Sequence, residues 1–352
     1  MNKYEEKTLV LIEKLWRTGK LSLSEYRKVI DGYCLVAAEY AATCAYEARK
    51  AIYDNKIFVR GLIEISNICK NDCYYCGIRC SNKNVDRYRL TKEEILECCK
   101  DGYEVGLRTF VLQGGEDGYF TDEKLVDIVS SIRREYPDCA ITLSVGERSY
   151  ASYKKLFDVG ANRYLLRHET ADGEHYSKLH PSMLTLTNRK KCLANLKKIG
   201  YQVGCGFMVG SPYQTSESLA KDLKFIEHFK PDMCGIGPFI PHRDTPFGNF
   251  EAGSVGLTCY LLSLIRLIHP PVLLPATTAL GTVHPQGRLA AILSGANVIM
   301  PNLSPQSVRK KYELYNNKLY SNSESAQEME KIKNQVQTIG YRIVVARGDI
   351  IK

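Results

Sequence analysis

Three cysteines, Cys69, Cys73 and Cys76, stand in the run Ile65-Ser-Asn-Ile-Cys-Lys-Asn-Asp-Cys-Tyr-Tyr-Cys-Gly77, a C-x3-C-x2-C spacing. Thiolates are soft ligands suited to iron–sulfur clusters, and a loop lets three of them converge on one face of a cubane. A four-iron cluster normally takes four cysteines, so a trio leaves one iron open to bind a further molecule. Other chemistries fit parts of the run. Cys73 and Cys76 alone have the spacing of a thioredoxin-like redox pair, which leaves Cys69 without a use. A zinc site completed by Cys80 would want a second matched ligand pair that the sequence does not offer, and Cys80 also stands as a possible fourth cluster ligand.

A ligand loop needs a rigid element behind it, and this one follows a strand pattern. From about Arg60 onward, short runs rich in Val, Ile, Leu and Tyr alternate with longer amphipathic stretches, as in beta-alpha units around a parallel sheet. Strands are expected over 60–66, 108–114, 140–145, 162–168, 201–208, 232–237, 272–278 and 297–300. Thr91 with Glu94 forms a capping box at the start of one intervening helix, and Thr215 with Ser218 is a weaker start of the same kind. The pattern predicts an α/β fold, an eight-stranded (β/α)8 TIM-type barrel, with an open doubly wound sheet as the alternative that periodicity does not exclude. Residues 1–58 read as an N-terminal extension of three helices, over 4–16, 22–30 and 35–53. Residues 59–308 form the barrel, and 309–352 a C-terminal segment closing its mouth.

In a barrel the site lies where the C-terminal ends of the strands converge. The unusual residues collect there: the cysteine loop, Gly114-Gly115-Glu116-Asp117, Ser144 to Glu147, Arg167-His168-Glu169-Thr170, Thr277-Thr278 and Asn302.

The 352 residues are 44% hydrophobic and 25% charged, which suits a globular chain and neither disorder nor a membrane span. The start is charged and amphipathic, unlike a secretory signal, so the protein is expected to be cytoplasmic. Its 13 cysteines then argue for metal binding or burial over disulfides. Cys98, Cys99, Cys139, Cys192, Cys205, Cys234 and Cys259 fall in apolar patterns, where a thiol acts as a small hydrophobe. The net charge of +9 is dispersed and carries no basic-aromatic stripe for nucleic acid; it fits a generic solvated basic surface at least as well as attraction of an acidic electron carrier or an anionic substrate.

The cysteine motif with Tyr75 before its third thiol, and the Gly-Gly-Glu after the second strand, resembles the radical S-adenosylmethionine superfamily. The stretches 164–171, 235–242, 275–281 and 295–302 resemble, within it, the HydE family of FeFe-hydrogenase maturases, over about 59–318. The resemblance implies a single 4Fe-4S cluster on Cys69, Cys73 and Cys76, with S-adenosylmethionine chelated to the open iron. An electron from reduced flavodoxin or ferredoxin would release a 5'-deoxyadenosyl radical. That radical would attack the sulfur of a cysteine-bound iron carbonyl-cyanide complex made by a sister maturase. By resemblance Tyr75 contacts adenine through its backbone, while Gly114, Gly115 and Glu116 meet the methionine ammonium. Ser144 joins this cofactor set, Glu169 resembles the ribose-binding acid, and Arg189 the partner of the methionine carboxylate; an arginine fork suits a carboxylate and an acid suits a diol. Unaided, Arg189 reads as a solvated helix residue. Arg167, Thr277, Thr278, Tyr312 and Tyr315 match positions lining the family's substrate cavity, although the two tyrosines, three apart, also fit one packed helix face. His168 is expected to be a structural hydrogen-bonder. Some members carry a second cysteine trio near Lys318 to Ser323, whereas the last cysteine here is Cys259.

Two other readings compete. One is a biotin-synthase-like or methylornithine-synthase-like radical enzyme on the same barrel; the other is a non-catalytic cluster scaffold or carrier, in which Gly114 to Glu116, Glu169 and Arg189 have no use.

Overall fold

Every residue of Gly61–Ser66 is buried, on both faces of the strand, as in a parallel strand with helices on one side and a packed interior on the other. The computed structural model describes residues 3–319 and 325–351. Its strands are β1 (Lys56–Val59), β2 (Gly61–Ser66), β3 (Thr109–Gly114), β4 (Ala140–Ser144), β5 (Arg163–Leu165), β6 (Gln202–Cys205), β7 (Met208–Val209), β8 (Met233–Cys234), β9 (Gly237–Pro238), β10 (Val298–Ile299) and β11 (Arg342–Val344). β2, β3, β4, β5, β6 and β8 pair in that order in one all-parallel sheet, with helices between. Parallel bridges continue from it, Met233 to Leu273, Pro275 to Val298 and Asn302 to Leu62, which leads back to β2. The register sets Glu64 beside Gln113 and Gln113 beside Ser144, so the three share one face.

Several expected strands are shorter than the apolar runs that signalled them. The stretch 272–278 makes only the bridges at Leu273 and Pro275, because proline has no N–H for a ladder, and Thr278 already opens the helix Thr278–Val283. The stretch 201–208 splits into β6 and β7 around Gly206, where an added Cβ would sit 1.9 Å from Gly235 O. The close approach admits only glycine. The stretch 232–237 splits the same way, and 162–168 pairs only over β5.

Three helices, Lys3–Thr18, Leu23–Asp31 and Leu35–Tyr53, precede β1. They rest on Ser216–Phe229 and Val255–Ile268: Tyr26 donates to Glu227 at 2.8 Å and Tyr260 to Val29 O at 3.1 Å. Both halves of the Thr91/Glu94 capping box are made, and Thr215 caps through the Ser218 N–H. The seven cysteines read as small hydrophobes are buried.

The last segment corrects the sequence reading. β11 pairs with β1, and the carbonyl of Arg347 accepts from Thr109 Oγ1 and Arg163 Nη2, each at 2.8 Å. Thr109 and Arg163 begin β3 and β5, so residues 342–349 lie at the N-terminal ends of the strands, opposite the mouth that 309–352 was expected to close. The cause is charge. Buried Arg163 pairs with Asp349 at 2.6 Å, and buried Arg60 donates to Gly348 O at 3.2 Å. Among the described residues no helix is long and apolar enough to cross a membrane.

Candidate functional site

The cysteine loop leaves β2 and is held chiefly through backbone carbonyls. Arg87 donates to the carbonyls of Asn67, Ile78, Arg79 and Asn82 at 2.6 to 3.0 Å, and Gly77 N donates to Leu314 O at 2.8 Å. Cys69, Cys73 and Cys76 are half-buried, whereas Cys80 is exposed. Burial pushes the Cys69 and Cys73 thiols up and Cys76 to about 12, so thiolates there call for a bound cation. Among the described residues no three His, Cys, Asp or Glu side chains converge on one point as a lone metal ion requires. Three soft donors on one loop, with Cys80 exposed, fit a cluster whose irons each take one thiolate.

β3 brings the Gly114–Glu116 turn against this loop. Glu116 N donates to Cys69 Sγ at 3.3 Å, and Lys70 N donates to Glu116 O at 3.0 Å. At Gly115 an added Cβ would meet Ile68 O at 2.3 Å, so a glycine is what allows the two loops to touch. The Glu116 carboxylate is already engaged: it accepts from Glu147 N at 2.9 Å and pairs with Lys70 at 3.4 Å. It sits under Gly146, whose φ of +82° and missing Cβ make the room. The side chain thus joins β3 to the turn after β4, and Ser144 ends β4 half-buried beside Gln113.

Glu169 is 8% exposed with φ +63°, a strained conformation for a non-glycine residue. Its N–H bonds Gly206 O at 3.0 Å and its carbonyl accepts from Met208 N at 3.3 Å, which hold the strain. Its Oε2 lies 3.2 Å from Arg167 Nη2, yet neither atom makes a hydrogen bond, and Arg167 Nε has none either. The charges pair without aligned N–H groups. The sequence reading gave these residues to different ligands; the structure brings them together. His168 is fully buried and neutral, since desolvation lowers it well below its usual range; Gly206 N donates to its Nδ1 at 3.3 Å, and its Nε2 lies 3.2 Å from Asp222. It fixes the turn that carries Glu169.

Arg189, on the helix Leu186–Ile199, turns inward. Its Nε pairs with Glu147 at 2.5 Å and its Nη1 donates to Arg167 O at 2.5 Å, which orients the guanidinium plane. Glu147 also accepts from Asn188 at 2.6 Å. This clamp escaped the sequence reading, although an acid just after a strand was visible. Tyr75 donates its hydroxyl to His180 Nε2 at 3.1 Å, and His180 Nδ1–H donates to Tyr176 O at 3.0 Å.

On the far side Thr277 precedes its helix without capping it, and its hydroxyl is buried with no partner; Thr278 is half-buried. Tyr312 is buried, its hydroxyl 3.4 Å from Gln113 Nε2. Lys318 donates to the Tyr312 carbonyl at 2.8 Å and pairs with fully buried Glu64, whose other oxygen accepts from Asn302 at 2.9 Å. Tyr315 is half-buried, and neither tyrosine lies on a helix: after Gln306–Arg309 the backbone bonds Gly77 and Pro241 instead. Residues 320–323 of the stretch where a second cysteine trio was considered lie outside the described residues.

Comparison with known proteins shows the family of the chain. Residues 63–226 match the family model of the Radical SAM superfamily. The [FeFe] hydrogenase maturase subunit HydE of Thermotoga maritima is 45% identical over 275 residues, 78% of each chain. The 3-methylornithine synthase of Methanosarcina acetivorans is 30% identical over 300 residues, 84% of this chain and 83% of that one. A crystal structure of methylornithine synthase superposes with a TM-score of 0.83 at 27% identity, covering 95% of this chain and 97% of that one.

Proposed function

The chain belongs to the radical S-adenosylmethionine superfamily and, within it, to the HydE family of FeFe-hydrogenase maturases, and from that premise we propose the reaction that its site serves. It is a radical S-adenosylmethionine enzyme. We read its substrate as a cysteine-bound iron carbonyl-cyanide complex supplied by a sister maturase, its electron donor as a reduced flavodoxin or ferredoxin, and its compartment as the cytoplasm. The observation that carries this reading is the 45% identity to HydE across 78% of the chain, well above the 30% shared with the mutase-type relative.

Cys69, Cys73 and Cys76 would hold one 4Fe-4S cluster; with S-adenosylmethionine bound, that group supplies a 5'-deoxyadenosyl radical. The remaining work falls to the chain. Arg189, oriented by Glu147, presents a guanidinium to the methionine carboxylate, and Glu169 presents an acid to the ribose diol. Tyr75 and the Gly114–Glu116 turn flank the cluster loop, with Ser144 beside them. Arg167, Thr277 and Thr278 form a polar wall for the substrate carboxylate, supported by the unsatisfied Arg167 Nε and Thr277 Oγ1. Tyr312 and Tyr315 screen it from water. The six-stranded sheet with its three returning bridges supports an eight-stranded (β/α)8 barrel as the frame.

The test supplies reconstituted, reduced enzyme with S-adenosylmethionine and the iron-cysteine complex. Expected is faster cofactor consumption and conversion of the complex. Formation of 3-methylornithine in a parallel assay, with the complex untouched, would move the protein to the mutase reading.

A further inference from the structure

Tyr176 was assigned no part by the sequence reading. It lies on the helix Gly173–Leu179, 2% exposed, and its hydroxyl is buried with no hydrogen-bond partner. A buried phenol O–H left unpaired costs about 1–3 kcal/mol, so its persistence calls for an explanation. The ring is locked. His180 stacks on it with centroids 4.0 Å apart, and His180 is itself fixed by its bonds to the Tyr176 carbonyl and to the Tyr75 hydroxyl.

Burial pushes the phenol up, and the charges of Arg189, Glu147, Cys73 and Glu169, members of the proposed cofactor site, act on it as well. None accepts its proton. Glu147 is committed to Arg189 and Asn188, and Arg189 is itself a donor. A buried hydroxyl donor left without an acceptor, on a helix whose Leu179 carbonyl takes the Tyr74 N–H at 3.0 Å and with its ring tied through His180 to Tyr75, is suited to an anion bound at the cysteine loop.

Resting on the function proposed above, we infer that the Tyr176 hydroxyl donates a hydrogen bond to the carboxylate of bound S-adenosylmethionine, beside Arg189. The amino-acid end of the cofactor is then held by a charged fork and a neutral donor on two different helices. Because the hydroxyl has no partner in the free protein, removing it takes nothing from the fold.

The test compares Tyr176→Phe with the wild-type holoprotein by equilibrium binding of S-adenosylmethionine and of its decarboxylated analogue, with iron content measured alongside. A lost hydrogen bond to a charged group predicts about 10- to 100-fold weaker binding of S-adenosylmethionine. Iron content stays equal, and the decarboxylated analogue binds both proteins alike. Equal weakening of the two ligands, or none of either, overturns the assignment, since a merely structural role would not distinguish them. If wild-type protein with a full cluster binds no S-adenosylmethionine, the parent reading falls and takes this one with it.

Discussion

Between Arg167 Nη2 and Glu169 Oε2 there is a gap of 3.2 Å and no aligned hydrogen bond, so each is held by charge alone while its bonding capacity stays open. Removing either leaves the other partly buried beside no counter-charge. An Arg167→Met variant is therefore expected to disturb S-adenosylmethionine binding as well as substrate binding. In a double-mutant cycle with Glu169→Gln, cofactor affinities should show a coupling of about 0.5–3 kcal/mol. Additive losses would mean that the ion pair carries no coupling between the two residues. For the cysteines, serine at position 69, 73 or 76 should abolish bound iron and the brown chromophore, whereas Cys80→Ser should keep both, in line with its exposure. The thiols, the glycines and Glu169 were legible as residue types in recognisable runs. The Glu147 clamp and the Tyr176 hydroxyl were not, because an inward-facing side chain on a polar helix, such as Arg189, carries the same sequence signal as a solvated one.

The segment 311–318 is tied to two elements at once: Lys318 reaches fully buried Glu64 on β2, and the Leu314 carbonyl takes the N–H of Gly77, next to Cys76. A charge buried this deeply is costly once its partner is gone, typically about 3–5 kcal/mol. Lys318→Met should lower unfolding free energy by about that amount, and the Glu64→Gln/Lys318→Met pair should recover most of it, both read by denaturant titration. A single variant as stable as wild type would show that the pair does not anchor the segment. Element types were largely readable, since apolar runs and caps follow local chemistry. Strand limits were not: Pro275 and the Gly206/Gly235 contact interrupt ladders for reasons that lie in a neighbouring strand. β11 was missed because Arg342–Val344 is a short, half-exposed edge whose partner stands nearly three hundred residues earlier.

Across the whole molecule, His168, His175, His180, His242 and His269 are held below their usual range by desolvation, His180 to about 3 and His269 to about 4. The unfolded chain therefore binds more protons than the folded one once pH drops below about 6.5, so stability rises with pH there and is lost on acidification. Each such histidine contributes up to about 1.4 kcal/mol per pH unit, and the denaturation midpoint of the apoprotein should fall clearly between about pH 7.5 and 5.5. A flat profile would mean that these rings take up protons in the fold as readily as in the unfolded chain. The same burial gives the sheet its rigid frame, and the residues at its strand ends supply the donor and acid set described above. The central claim, that three thiols and their neighbours hold a cluster able to cleave S-adenosylmethionine, is tested most directly by anaerobic reconstitution with iron and sulfide, chemical reduction, and assay for 5'-deoxyadenosine. The account predicts about four irons per chain and 5'-deoxyadenosine that appears only with S-adenosylmethionine and reductant present; a full cluster that binds S-adenosylmethionine, is reduced, and yields none would contradict it.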